Sequence, residues 1–268
     1  MTKLEQLIKE LCPDGVEIRS LENCCNILDR KRKPVTKSAR EAGEYPYYGA
    51  NGIQDYVSDY IFDGIFILVG EDGSVITSTG NPVVTWAEGK IWVNNHAHII
   101  EQNASGDVLL RYLFHYIQTI DVTPLIHGNI PKLTGGDFRA LQIPIPPLAV
   151  QREIVRILDN FTELTTELTT ELTARRKQYE YYRDALLTAS DNIEYQTLPE
   201  ISENLDCQRK PVTKGNREAG EYPYYGASGI VDYVSDYIFD GDYLLVSEDG
   251  ANLLARSTPI AFSISGKN

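Results

Sequence analysis

The chain has 268 residues, enough for one to two domains that each bury a core. Hydrophobic residues at 42% and charged residues at 24% exclude a disordered or membrane-embedded chain and describe an ordinary globular one. The net charge of −13 taken alone argues against a nucleic-acid partner, so such a partner would have to be met by a local cluster of basic side chains.

Residues 1–11 read as a short amphipathic helix with Leu4, Leu7, Ile8 and Leu11 on one face, without the apolar run of a signal peptide. No stretch approaches the ~20 apolar residues of a membrane span, so the expectation is a cytoplasmic protein with no membrane partner. Pro13-Asp14-Gly15 is turn chemistry that ends the helix. Cys12, Cys24, Cys25 and Cys207 form no C-x-x-C pair and suggest neither a disulfide framework nor a metal site.

A basic loop follows. Arg30, Lys31, Arg32, Lys33, Lys37 and Arg40 carry six positive charges with no acid before Glu41. Tyr47, Tyr48 and Asn51 come next, in YPYYGAN. Positive charge beside aromatic and amide side chains suits phosphate contacts combined with base-edge or stacking contacts. The alternative is a solvated loop beside a tyrosine-rich core.

From Tyr45 to His98 the pattern is β-like, with IFILV (65–69), PVVTW (82–86) and IWVNNHAHII (91–100) rich in β-branched and aromatic residues. A strand through Asn94, Asn95, His96 and His98 puts the two imidazoles on one face. That spacing is open to a metal pair, to DNA or backbone hydrogen bonding, or to a structural polar strand. Glu71-Asp72-Gly73 reads as a turn, since adjacent acids do not share a strand face.

Residues 107–120 have helical spacing, with Leu109, Leu110, Leu113, Ile117 and Ile120 on one side. Thr134 and Asp137 mark a helix start of capping-box type. Prolines in IPIPP (143–147) interrupt helix, and Pro147 suits the first position of the next one. That helix has no Gly or Pro from Leu148 to Leu187. A seam with alternating steps of three and four runs through Ile154, Leu158, Phe161, Thr165, Leu168, Leu172, Arg175, Tyr179, Tyr182 and Leu186, apolar or aromatic at all but Thr165 and Arg175. Inside it lies TELTTELTTELT (162–173). At 1.5 Å per residue the helix is ~60 Å long and its apolar stripe calls for a partner helix, the alternative being a linker packed on its own domain.

The chain then repeats itself. Residues 210–250 match residues 33–73 at 33 of 41 positions, an offset of 177. A period this long is a duplicated domain, not a solenoid. The fold class expected is α+β: a β-rich mixed domain at 1–147, a long coiled-coil helix at 148–190, and a partial repeat of the first domain at 191–268. No catalytic motif or phosphate loop stands out, so these residues suggest no enzyme.

YPYYGANGI, FDGIFILVGEDG, GKIWVNNHAHI, HGNIPKL and IPIPPLAVQREI, in this order before a long helix, resemble the specificity subunit of type I restriction-modification systems. The resemblance implies target recognition domains that each read one half of a split DNA site, joined by helical regions that dock methyltransferase (modification) subunits. It implies no catalytic residue or cofactor in this chain. S-adenosylmethionine belongs to the modification subunits, and ATP and Mg to the restriction step. DNA contacts are expected from Arg30, Lys31, Arg32, Lys33, Lys37, Arg40, Tyr47, Tyr48, Asn51, Asn94, Asn95, His96 and Lys132. The second recognition domain stops mid-pattern, so two copies are expected to pair their long helices antiparallel and supply two half-sites. A different class also fits the pattern: a coiled-coil adaptor whose duplicated β-rich modules bind protein or glycan.

Overall fold

The computed structural model describes residues 2–73, 75–187, 195–248 and 261–267. It divides into two compact units, Met1–Arg183 and Asp184–Asn268. The expected boundary near residue 190 and the Asp249-Gly250 turn lie outside the described residues.

The first unit opens with α1 (Lys3–Leu11), held by a capping box between Thr2 and Glu5. Strand β1 (Glu17–Ser20) pairs far along the chain, and β2 (Cys25–Ile27) leads into the basic segment. Then come β3 (Ala42–Gly49), β4 (Gly52–Val57), β5 (Phe62–Gly70), β6 (Val84–Val93) and β7 (Ala97–Gln102). These form a mixed six-stranded sheet in the order β2-β7-β5-β6-β3-β4, in which only β3 and β6 run parallel. The apolar run in β5 is continuous because this central strand is buried on both faces. Ile67 and Val69 join one core with Ile100, and Phe66 and Leu68 join another with Ile91, Val93 and Ile99.

The first core is closed by helices. In α2 (Leu110–Ile117) Leu110, Leu113 and Ile117 are buried, as their spacing requires. This helix is shorter than the 107–120 pattern, because side chains take over its start: Gln102 Oε1 accepts from the Leu110 amide at 2.7 Å and Gln151 Oε1 from the Leu109 amide at 2.8 Å. A short hairpin, β8 (Ile126–His127) with β9 (Lys132–Leu133), leads to α3 (Gly135–Ala140). Thr134 caps α3 by accepting from the Asp137 amide, and Asp137 reaches back to the Thr134 hydroxyl rather than to its amide. Strand β10 (Gln142–Ile145) returns to pair with β1. Cys24 and Cys25 are buried here, and burial pushes their thiols up to about 11 and about 12.

Helix α4 (Leu148–Leu187) begins one residue later than Pro147, whose carbonyl accepts from the Val150 and Gln151 amides. Its root is pinned. Gln151 is fully buried and donates to the carbonyls of Asp107 (2.9 Å) and Pro146 (2.8 Å). Glu153 pairs with Lys3 and Arg156, which together hold its carboxyl down at about 2. Asp159 takes Arg111 at 2.8 Å and His115 at 2.7 Å. Beyond the root the seam is open: Leu158, Phe161, Leu168, Leu172, Tyr179, Tyr182 and Leu186 are 38–81% exposed, while Ile154 packs against the first core. In the TELT tract six threonine hydroxyls, from Thr162 to Thr173, donate to the carbonyl four residues back, so these side chains satisfy themselves within the helix.

The second unit holds α5 (Leu198–Ile201), a hairpin of β11 (Ala219–Gly226) with β12 (Gly229–Val234), and a pair β13 (Asp240–Val246) with β14 (Ala261–Lys267). Each register reproduces that of the first unit at the 177-residue offset: Ile67↔Trp86 becomes Leu244↔Ser263, and Gly64↔Gly89 becomes Gly241↔Gly266. Among the described residues no helix is long and apolar enough to cross a membrane.

Candidate nucleic-acid interface

The turn at residues 94–96 is the hub that gathers the residues singled out in the sequence. Asn94 is buried; its amide donates to the Tyr48 carbonyl and its side-chain oxygen accepts from the His96 amide at 2.8 Å. This Asx-type turn breaks the 91–100 segment into β6 and β7. The reading of that segment as one strand, with His96 and His98 on one face, is therefore corrected. His96 is exposed and bonded to Asp72, whereas His98 points into the core.

Four other segments meet the hub. The root of the basic loop is stitched on by the Lys33 amide to the Val93 carbonyl and by Trp92 Nε1 to the Lys33 carbonyl at 2.6 Å. Arg32 donates to the Ala97 carbonyl at 2.6 Å and binds Glu71 at 2.6 Å. The end of β5 joins through the Glu71 amide, bonded to the His96 carbonyl. Lys132 of β9 reaches Glu71 at 3.3 Å. From the β3–β4 tip, Gln54 accepts from Asn94 Nδ2 at 3.2 Å.

Beneath the hub lies a buried ionic cluster. His98 bonds Asp29 at 2.7 Å and the Leu133 carbonyl at 3.0 Å, with its ring stacked on Phe138. Burial pushes the Asp29 carboxyl up, but the His98 bond and charge, the Ile99 amide and Arg32 together hold it below the usual carboxylate range. Asp29, Glu71 and His98 converge closely enough to hold a metal. Arg32 already bridges both carboxylates and Lys132 adds a second cation, so the donor set reads as an ion network that anchors the loop.

The candidate residues thus divide. Arg32, Arg40, Tyr47, Tyr48 and Asn94 are framework. Tyr47 and Tyr48 are buried, so their rings are not offered for stacking on bases. The Tyr47 hydroxyl accepts from the Val35 amide at 3.0 Å, Arg40 lies 4.1 Å over its ring, and Arg40 also binds Asp55. Arg30, Lys31, Lys33 and Lys37 are exposed, and among the described residues their side chains make no ion pair or hydrogen bond. Asn51, Asn95, His96 and Lys132 are exposed around the hub. The sequence reading missed the Gln54–Asn94 contact; the register shift that creates it leaves little trace in an alternating pattern.

This geometry sits inside a recognised domain: residues 13–175 match the type I restriction modification DNA specificity domain. The chain belongs to the type I restriction-modification specificity family. It is similar to a protein named as a type I restriction enzyme specificity subunit in Haemophilus influenzae, 41% identical over 84% of this chain and 58% of that relative. It is also similar to the EcoprrI specificity subunit of Escherichia coli, 44% identical over 53% of this chain and 40% of the relative. The chain thus spans about half the length of these curated relatives. The crystal structure of a type I specificity subunit from M. genitalium shares the fold, with a TM-score of 0.58 at 17% identity over 88% of this chain and 67% of that one. The α+β architecture with a long helix is that of this specificity family.

Proposed function

We propose that this chain is the DNA sequence-recognition subunit of a type I restriction-modification complex. In this reading residues 1–147 form a recognition domain for one half of a split DNA site, 148–190 form the spacer helix, and 191–268 form part of a second recognition domain. The observation that carries the reading is the juxtaposition, inside the family match, of the exposed Arg30, Lys31, Lys33 and Lys37 of the basic loop with a turn that exposes Asn95 and His96. Arg30, Lys31, Lys33 and Lys37 supply phosphate contacts that set the register, and Asn51, Asn95, His96 and Lys132 supply contacts nearer the bases. The net charge of −13 does not oppose this, because the charge that matters is local, and Asp29, Asp55, Glu71 and Asp72 beside the loop and the hub are each paired.

The chain contributes no chemistry in this scheme. Methyl transfer and cleavage belong to the methyltransferase and restriction subunits, which the long helix holds at a set distance. The exposed seam of α4 supports antiparallel pairing of two copies, giving two half-sites related by two-fold symmetry. A strictly monomeric mass at micromolar concentration contradicts that pairing. One TELT unit adds about 6 Å of helix, one to two base-pair steps. Deleting one unit is expected to shorten the spacer of the recognised site, and an unchanged spacer rejects the ruler role. A gel shift with sheared DNA, with and without the modification subunit, tests the reading itself: salt-sensitive binding is expected, and its absence in both arms contradicts it.

A further inference from the structure

The two copies of the duplicated segment are the same at 33 of 41 positions, so the eight differences stand out against a shared framework. Two fall at the β3–β4 tip: Asn51 becomes Ser228, and Gln54 becomes Val231. In both copies the residue at the second of these positions is the extra residue of a β-bulge. Tyr47 pairs with Asp55 and Tyr48 with Ile53, leaving Gln54 unpaired; Tyr224 pairs with Asp232 and Tyr225 with Ile230, leaving Val231. Bulges of this kind re-aim a side chain out of the sheet's alternation.

Here the bulge lays Gln54 across Gly49, so closely that a Cβ on Gly49 would stand 2.1 Å from Gln54 Nε2. Asn94 Nδ2 donates to Gln54 Oε1 at 3.2 Å, and Asn94 is itself fixed by the His96 amide and the Tyr48 carbonyl. The amide of Gln54 is therefore held by its oxygen, while its Nε2 donors have no partner among the described residues and the residue is exposed. A merely structural glutamine has no need of an oriented, unspent donor at the exposed hairpin tip beside the hub.

We propose that Gln54 is a base-reading side chain, positioned by Asn94, and that it recognises the major-groove edge of an adenine in the half-site read by the first unit. An amide with one free donor pair and a remaining acceptor lone pair matches adenine N7 and N6. Val231 at the matching place in the second unit offers neither group, so the two near-identical frameworks differ at this reading position. This inference rests on the proposed function and adds a residue and a base to it.

The test is methylome sequencing of cells that carry the full chain with its modification subunit, comparing wild type with Gln54→Val and Gln54→Glu. Valine is already accommodated over Gly226 by the second copy, and glutamate keeps the glutamine shape, so both variants retain the hairpin. One A·T position of the motif is expected to become degenerate in Gln54→Val, with discrimination falling about tenfold or more. Gln54→Glu is expected to disfavour adenine at that same position. The other motif positions stay unchanged in both. An identical motif with undiminished discrimination in both variants overturns the assignment while leaving the proposed function intact. A wild-type complex that methylates no defined sequence overturns the proposed function, and this inference with it.

Discussion

The β3–β4 hairpin and its second copy, β11–β12, share sequence, register and bulge, yet their surroundings differ. Arg40 over Tyr47 with its bond to Asp55 is rebuilt as Arg217 over Tyr224 with Asp232 at 3.1 Å. The hydroxyl of Tyr224 again holds the loop amide, at Val212. Across from the hairpin the likeness ends. Ile67 and Val69 are fully buried under β7 and the helices, while their counterparts Leu244 and Val246 are 65% and 56% exposed in the second unit. Arg32 and Glu71 are 11% and 13% exposed; Arg209 and Glu248 are 51% and 71% exposed. The same residues form the same contacts in both places, but only the first unit puts them in a low-dielectric setting. Local sequence builds the hairpin and its ion pair, and the packing around them decides what they contribute.

The largest expected effect is in the core. Ile67→Ala should destabilise the first unit by roughly 2–5 kcal/mol through lost burial and a residual cavity. Leu244→Ala should change the second by less than about 1 kcal/mol. Denaturant titration of each variant measures the contrast, and equal losses break the comparison. Next comes the ion pair. Arg32→Ala leaves Asp29 and Glu71 without their guanidinium and should cost about 3 kcal/mol, whereas Arg209→Ala, at an exposed pair, should cost about 1 kcal/mol or less.

Removing an unpaired lysine should leave stability alone and act on DNA. Lys31→Ala and Lys33→Ala should each lower the slope of log affinity against log salt by about 0.9, with unchanged melting. A slope that does not move removes these side chains from the interface. The smallest effect concerns pH. The carboxyl of Glu153 is depressed to about 2 from 4.5 by Arg156 and Lys3, so its contribution is present above about pH 4.5 and is lost as pH falls toward 2. Glu153→Gln should flatten the acid limb of the stability profile, and an unchanged limb contradicts the role assigned to this pair.

Much of this was legible in the residues. The α4 helix follows from a Gly- and Pro-free run with a heptad seam, and the likeness of the β11–β12 hairpin to β3–β4 follows from the offset repeat. The basic loop was visible as charge, but not its division into anchors and free cations. Arg32 and Lys33 are neighbours in the same run; one is clamped between Asp29 and Glu71 and the other is exposed, a difference that depends on Glu71 and the Ala97 carbonyl far along the chain. Tyr47 looked like a stacking platform because aromatic residues beside lysines fit that role, and nothing local says that Val35 and Arg40 cover it. The break at Asn94 was hidden because the β-branched and apolar residues on either side continue the strand pattern, while a single buried amide makes the turn.

The central claim is that this chain selects the DNA sequence for a partner that does the chemistry. Adenine methylation mapping in cells expressing this chain with its modification subunit tests it most directly. The account predicts methylation at one split motif of two half-sites with a fixed spacer, lost when the chain is omitted; methylation that is absent, or unchanged without the chain, would contradict it.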